Sequence, residues 1–195
     1  MRDYTKLLSL SVKGVVTTQA VMGAGLPKNY LSYAVRDGFI TREMHGVYIV
    51  NGEGIIDDYY MLQFKRKKII FSFDTAAFLH DLITHFPWRM SVTVPSGWNA
   101  KGLNKNCKVY YYGENYELGI VEVETFAGNK VRVYDMERTL CDMFSSRYDG
   151  DIALSIEALQ SYLRLKEKCN FQKLYDYAKK LGVYNEINKR VQVLV

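Results

Sequence analysis

Residues 16–50 pass from a helical to a strand-like hydrophobic period within one short stretch, and few folds accept that order of elements. Thr17-Thr18-Gln19-Ala20-Val21-Met22 opens with hydroxyl residues suited to an N-cap and continues as a short helix, which Gly23-Ala24-Gly25-Leu26-Pro27 ends. A second helix over 28–37 places Leu31, Ala34 and Val35 at i, i+3 and i+4 toward a core and turns Lys28, Asn29, Ser32, Tyr33 and Arg36 outward. Gly38 stops it. Strands over 39–42 and 47–50 flank the loop Glu43-Met44-His45-Gly46 and make a short hairpin. Ahead of them, Tyr4, Leu7, Leu8 and Leu10 supply a first amphipathic helix that ends near Gly14. Three helices followed by a hairpin predict a winged helix-turn-helix over residues 1–52.

The outward face of the second of these paired helices carries the chemistry that a DNA major groove requires. Asn29 suits adenine, Arg36 suits guanine or phosphate, and Lys28 at the helix N-terminus suits phosphate. Tyr30 joins Lys28, Asn29, Ser32, Tyr33 and Arg36 in the expected groove-facing set, while Thr17, Thr18, Gln19, Arg42 and His45 are expected to hold phosphates. Two plainer explanations compete with DNA binding. A polar helix face is often just solvated, and small winged helices also serve as protein-binding modules. His45 fits an ordinary turn residue better than a pH switch.

The 195 residues allow one large or two small domains, and 48% hydrophobic residues suffice for a core. The net charge of +5 is uneven: residues 1–52 hold six Lys or Arg against three acids, and residues 53–195 hold twenty against eighteen. That distribution fits a phosphate-bearing partner better than a membrane. Cys107, Cys141 and Cys169 are odd in number and widely spaced, which suggests neither a disulfide framework nor a zinc site. No metal or other cofactor is expected. No apolar run reaches the ~20 residues of a membrane span, and no signal core follows the N-terminus, so a cytoplasmic location without membrane association is expected.

Asn51-Gly52-Glu53-Gly54 is the best interdomain turn, which assigns residues 53–195 to a second domain. A helix is predicted over 55–67, with Ile56, Tyr60 and Phe64 spaced by four as its apolar stripe and Asp57 and Asp58 in its first turn. The run Lys65-Arg66-Lys67-Lys68 at its end complements the helix dipole, and alternatively makes an electrostatic shelf for an accessory nucleic-acid contact. A buried strand over 69–71 and a helix over 74–82 follow. Residues 89–95 alternate as a half-buried strand does, 108–112 form another strand, and 120–126 and 130–134 form a hairpin around Gly128-Asn129. Beyond Asp135 the chain turns helical. Its stripes are Met136, Leu140, Met143 and Phe144, then Ile152, Ile156, Leu159 and Leu163, then Phe171, Leu174, Ala178 and Leu181, capped by Asn170 and Gly182, and finally Val183, Ile187 and Val191. The expected class is α+β: an N-terminal winged helix-turn-helix, then a mixed-sheet and helical domain.

Catalytic signatures are weak. His80 and His85 near Asp81 offer an acid/base pair without a nucleophile, a phosphate loop or metal-ligand spacing beside them. Glu122 and Glu124 resemble the acidic strand of metal-dependent nucleases, but Phe126 stands where such a strand carries its lysine. Asp135 as N-cap, Glu137 in the first turn and an Arg138–Asp142 pair at i, i+4 explain the cluster over 135–142 structurally. Lys101, Lys105 and Lys108 read as a solvated loop.

Four segments in this order resemble the AbiEi antitoxin family of bacterial abortive-infection toxin-antitoxin systems, nearly end to end. They are Gly46-Val47-Tyr48, Phe71-Ser72-Phe73-Asp74-Thr75-Ala76-Ala77-Phe78-Leu79-His80, Val92-Thr93-Val94-Pro95-Ser96-Gly97-Trp98, and Val131-Arg132-Val133-Tyr134-Asp135-Met136-Glu137-Arg138-Thr139-Leu140-Cys141-Asp142. Phe73 and Trp98 depart from the family pattern, and neither lies on the reader helix. The resemblance implies a non-enzymatic bifunctional protein of type IV. Its N-terminal domain would bind repeats in its own promoter and repress the operon, in a phage-defence setting. Its C-terminal domain would counter a nucleotidyltransferase-like toxin, with direct contact left open. Two copies on repeated half-sites, and so self-association on DNA, follow from the small footprint of one winged helix. The rival readings are a nucleic-acid-targeted enzyme, either a nuclease or a kinase-like modifier of the toxin, and a scaffold that grips the toxin.

Overall fold

The computed structural model describes residues 3–52, 57–103 and 107–194, so Glu53, Gly54, Ile55, Ile56 and Lys105 of the predicted features lie outside the described residues. The chain divides into two compact units, 1–58 and 59–195. Its class is mixed α+β.

The first unit runs α1 (Thr5–Leu10), β1 (Val15–Thr17), α2 (Thr18–Gly23), α3 (Asn29–Arg36), β2 (Ile40–Met44) and β3 (Val47–Val50). Its antiparallel sheet has the order β1-β3-β2. Leu7, Val16, Val21, Leu31, Ala34, Ile40 and Val50 close one apolar core under the three helices, with Tyr4 sealing it. The sequence reading missed β1, where Val15 pairs with Ile49 and Thr17 with Val47. Three residues are too few to show a period of their own.

The expected four-residue hairpin loop is shorter in the structure. β2 continues to Met44, with a register shift between Arg42 and Met44, and only His45 and Gly46 make the turn. The irregularity uses up the extra residue, and Gly46 adopts φ +80, which a side chain would resist.

The second unit runs α4 (Asp58–Lys65), β4 (Ile70–Phe71), α5 (Phe73–Leu79), β5 (Met90–Pro95), β6 (Cys107–Tyr112), β7 (Ile120–Glu124), β8 (Lys130–Tyr134), α6 (Met136–Met143), α7 (Ile152–Arg164), a 3-10 turn over Lys166–Lys168, α8 (Phe171–Lys180) and α9 (Tyr184–Leu194). The sheet order is β6-β5-β4-β8-β7, with β5–β6 and β4–β8 parallel and the other pairs antiparallel. One cluster packs Val92, Val94, Val131 and Val133 with Tyr59, Phe71, Ala100 and Leu103. A second joins α5 to the C-terminal helices through Ala77, Leu140, Ala158, Leu159, Tyr162, Leu174 and Ile187.

Three periodicities mislead. β5 is buried on both faces, not half-buried: Val92 and Val94 are apolar, while Thr93 donates its hydroxyl to Ser72 Oγ at 2.9 Å and Ser91 N donates to Thr75 Oγ1 at 2.8 Å. Helix α7 buries Ser155, Ala158, Leu159 and Tyr162 and leaves Ile152 49% exposed, a face rotated from the predicted stripe. Helix α4 buries Tyr59 and Met61, whereas Tyr60 is half-buried and Phe64 exposed.

The corner between β8 and α6 is built around buried charge. Asp135 caps α6, its Oδ1 accepting from Arg138 N at 2.8 Å. Arg138 Nε donates to Asp142 Oδ1 at 3.0 Å with both side chains fully buried, and Nη1 donates to the carbonyls of Asn115 and Leu118 at 2.6 and 3.0 Å. The rings of Tyr134 and Tyr112 lie 4.2 and 4.6 Å from the guanidinium carbon. Gly119, at φ +80, lets the preceding loop approach; a Cβ there would stand 2.9 Å from Asp135 Oδ2.

Candidate nucleic-acid interface

Leu31 and Ala34 anchor α3 in the core, and this fixes which side chains point away. Lys28, Asn29, Ser32 and Arg36 are exposed, and Tyr33 is half-buried. Arg36 lies 5.3 Å from the Tyr33 ring and 3.4 Å from Asp37 Oδ1, with 66% of its side chain exposed. Asp37 in turn accepts from the Tyr4 hydroxyl at 2.5 Å, so the helix end is tied to α1.

Two α3 residues depart from the sequence reading. Val35, predicted to face the core, is 37% exposed, while Leu31 and Ala34 are buried in the core and Phe39 stacks on Tyr4 within it. Tyr30, placed in the groove-facing set, packs its ring 5.4 Å from Tyr4 and donates its hydroxyl to the Asp3 carbonyl. It belongs to the support of the unit, not to its open face. Tyr4, far from Tyr30 in the chain, carried no spacing signal that tied the two rings together.

Thr17 caps α2, its Oγ1 accepting from Ala20 N at 3.0 Å, which uses the hydroxyl as an acceptor, whereas a phosphate would take its O–H. Thr18 is half-buried, and its N–H donates to Gly46 O at 2.9 Å, joining α2 to the hairpin turn. Gln19, Arg42 and His45 are exposed, with Arg42 Nη2 3.2 Å from His45 Nδ1.

In the second unit, the suggested acid/base residues separate. His80 is half-buried and held by a 2.7 Å contact from Nε2 to the Tyr134 carbonyl, and desolvation pushes its pKa below the usual value. Asp81 and His85 are exposed. Glu122 and Glu124 are also exposed, and the strand register sets them opposite Arg132 and Lys130. Among the described residues, no three His, Cys, Asp or Glu side chains gather as metal ligands.

The basic run straddles the end of α4. Lys65, Lys67 and Lys68 are exposed, while Arg66 donates to the Lys101 carbonyl at 3.1 Å and stands 5.9 Å from the Trp98 ring. Lys67 opens onto a groove of about 320 Å³ between α4 and the β7–β8 hairpin, shared with Tyr60, Phe64, Lys130 and Arg132. Sequence reasoning found the lysine run but not this groove, since about 65 residues separate its two walls.

No protein-family model matches the chain, and no curated protein matches it. The fold is similar to the crystal structure of the RV2827C protein from Mycobacterium tuberculosis, with 17% sequence identity and a TM-score of 0.57 over 85% of this chain. The match spans 66% of the length of that protein. No helix among the described residues is long and apolar enough to cross a membrane.

Proposed function

We propose that the first unit is a winged helix-turn-helix that reads promoter DNA, and that the whole chain is an autorepressing antitoxin. The observation that carries the DNA half is the open face of α3: Lys28, Asn29, Ser32 and Arg36 stand exposed on a helix anchored by Leu31 and Ala34. In a major groove, Asn29 and Arg36 supply base contacts worth about 1–3 kcal/mol of discrimination each, and Lys28 supplies salt-sensitive affinity. Arg42 on β2 and His45 in the two-residue turn are the phosphate contacts of the wing, and Gly46 of that turn is tied to the start of α2 through Thr18.

Repression follows from occupying repeated half-sites, one per copy. The antitoxin half, directed at a nucleotidyltransferase-like toxin, rests on the resemblance of the four segments given above. Two experiments test the two halves. A gel-shift assay on DNA upstream of the gene should show retarded bands that Asn29→Ala/Arg36→Ala removes; unchanged shifts sink the DNA assignment. Co-expression with an adjacent nucleotidyltransferase-like gene product should restore growth, and failure to do so removes the antitoxin assignment while leaving the repressor intact.

A further inference from the structure

The groove between α4 and the β7–β8 hairpin combines an aromatic wall with a cationic floor. Tyr60 and Phe64 form the wall, their ring centroids 6.0 Å apart and tilted by 41°, and Phe64 is 36% exposed. Lys130 and Arg132 alternate along β8 with the buried Val131 and Val133, so they occupy the opposite face of the strand from the valine core. Lys67 comes from the turn after α4. Glu122 is the one acid among the described lining residues, set opposite Arg132 in the register.

The wall is held in place by Gln63. Its side chain pairs with the backbone of Arg132, Nε2 donating to O at 2.9 Å and Oε1 accepting from N at 2.6 Å. The groove is therefore built by hydrogen bonds across the sheet end.

An exposed ring backed by a half-buried one, beside cations, matches one ligand chemistry closely: a base that stacks and a phosphate that is neutralised. At about 320 Å³ the space is at the small end for a ligand cavity. Lys67, Lys130 and Arg132 line the groove together. Three cations are more than one phosphate needs, which favours a polymer over a mononucleotide.

We propose that this groove binds a nucleotide of a single-stranded nucleic acid, as a site separate from the duplex-reading face of α3. A base stacks on Phe64 and Tyr60, and Lys67 and Lys130 neutralise the flanking phosphates. The glutamate restricts which base edges fit, since a carboxylate accepts from an exocyclic amine.

The test uses the full chain carrying Asn29→Ala/Arg36→Ala, so that failure of the duplex assignment leaves it unaffected. Fluorescence anisotropy with a labelled oligodeoxycytidylate, whose bases carry such an amine, should give saturable binding, and no binding overturns the proposal. Phe64→Ala should weaken it about 5- to 100-fold. Phe64→Leu, which keeps apolar volume in the groove but removes the ring, should weaken it in the same direction with the melting temperature retained. Lys67→Ala/Lys130→Ala should reduce the slope of log K against log salt by about 0.7 for each phosphate no longer neutralised. Unaltered affinity and salt slope in these variants overturn the proposal, as does equal displacement of the strand by a scrambled duplex or by a mononucleotide.

Discussion

The side chain of Gln63 takes the place of a strand beside Arg132. β4 is only two residues long and pairs with β8 at Phe71 and Val133, and the backbone of the preceding β8 residue, Arg132, is met by Gln63. The Gln63 carboxamide satisfies both its N–H and its carbonyl, and also donates to the Ile69 carbonyl at 3.1 Å. Gln63→Ala should lower the stability of the second unit by about 1–3 kcal/mol, the cost of unpairing partly buried backbone groups. Both tryptophans, Trp88 and Trp98, lie in that unit, so urea denaturation followed by tryptophan fluorescence reports it selectively.

Arg138 is the largest fully buried side chain, and its charge is held by Asp142 and two carbonyls. Burial pushes the Asp142 carboxyl above its ordinary range, against the pull of the guanidinium. Arg138→Met leaves that carboxylate with the Tyr112 hydroxyl but no cation, and removes the donor to the Asn115 and Leu118 carbonyls. The expected loss is about 3–5 kcal/mol, and Arg138→Met/Asp142→Leu should recover part of it. The same fluorescence assay measures both; a single variant as stable as the parent would contradict the pairing.

His80 makes stability depend on pH. Its folded pKa is lowered by burial, so between the folded value and the unfolded one near 6.5 the unfolded chain binds a proton that the folded chain does not. The contribution is fully present above pH 6.5 and declines as pH falls toward the folded pKa. The slope is at most about 1.4 kcal/mol per pH unit for this one group. His80→Gln, which still offers an N–H to the Tyr134 carbonyl, should flatten the urea midpoint over this window. An unchanged pH profile would reject His80 as the source.

Thr17 acts as a cap before it can act on phosphate. Thr17→Ala should cost the first unit about 0.5–2 kcal/mol, and Thr17→Ser should restore most of it. Native-state exchange of the Ala20 amide, whose N–H donates to the Thr17 hydroxyl, is the measurement. Faster exchange is expected for the alanine variant and near-parental exchange for the serine.

Local chemistry was legible, and surroundings were not. The caps at Thr17, Asp135 and Asn170 and the Arg138–Asp142 pair follow from residue types at fixed short spacings. Lys130–Tyr134 is the strand that its alternation suggests. The failures concern what covers a face. Tyr60 and Phe64 repeat by four as core residues do, yet Phe64 is 36% exposed. β5 alternates as a half-buried strand does, yet Ser91 N meets a hydroxyl on α5 and the Thr93 hydroxyl meets Ser72. Tyr30 reads as part of a polar helix face until Tyr4 and Asp3 are brought beside it. Of the groove-facing set, Lys28, Asn29, Ser32 and Arg36 remain on the open face.

The most direct measurement of the central claim is the affinity ratio between the upstream duplex and a scrambled duplex of equal length, at one stated salt concentration. The parent protein should prefer the upstream sequence, and Asn29→Ala/Arg36→Ala should reduce that ratio by at least about 10-fold, with near-parental salt dependence on the scrambled duplex. A ratio of one for the parent, or the same ratio for parent and variant, would contradict DNA reading by α3.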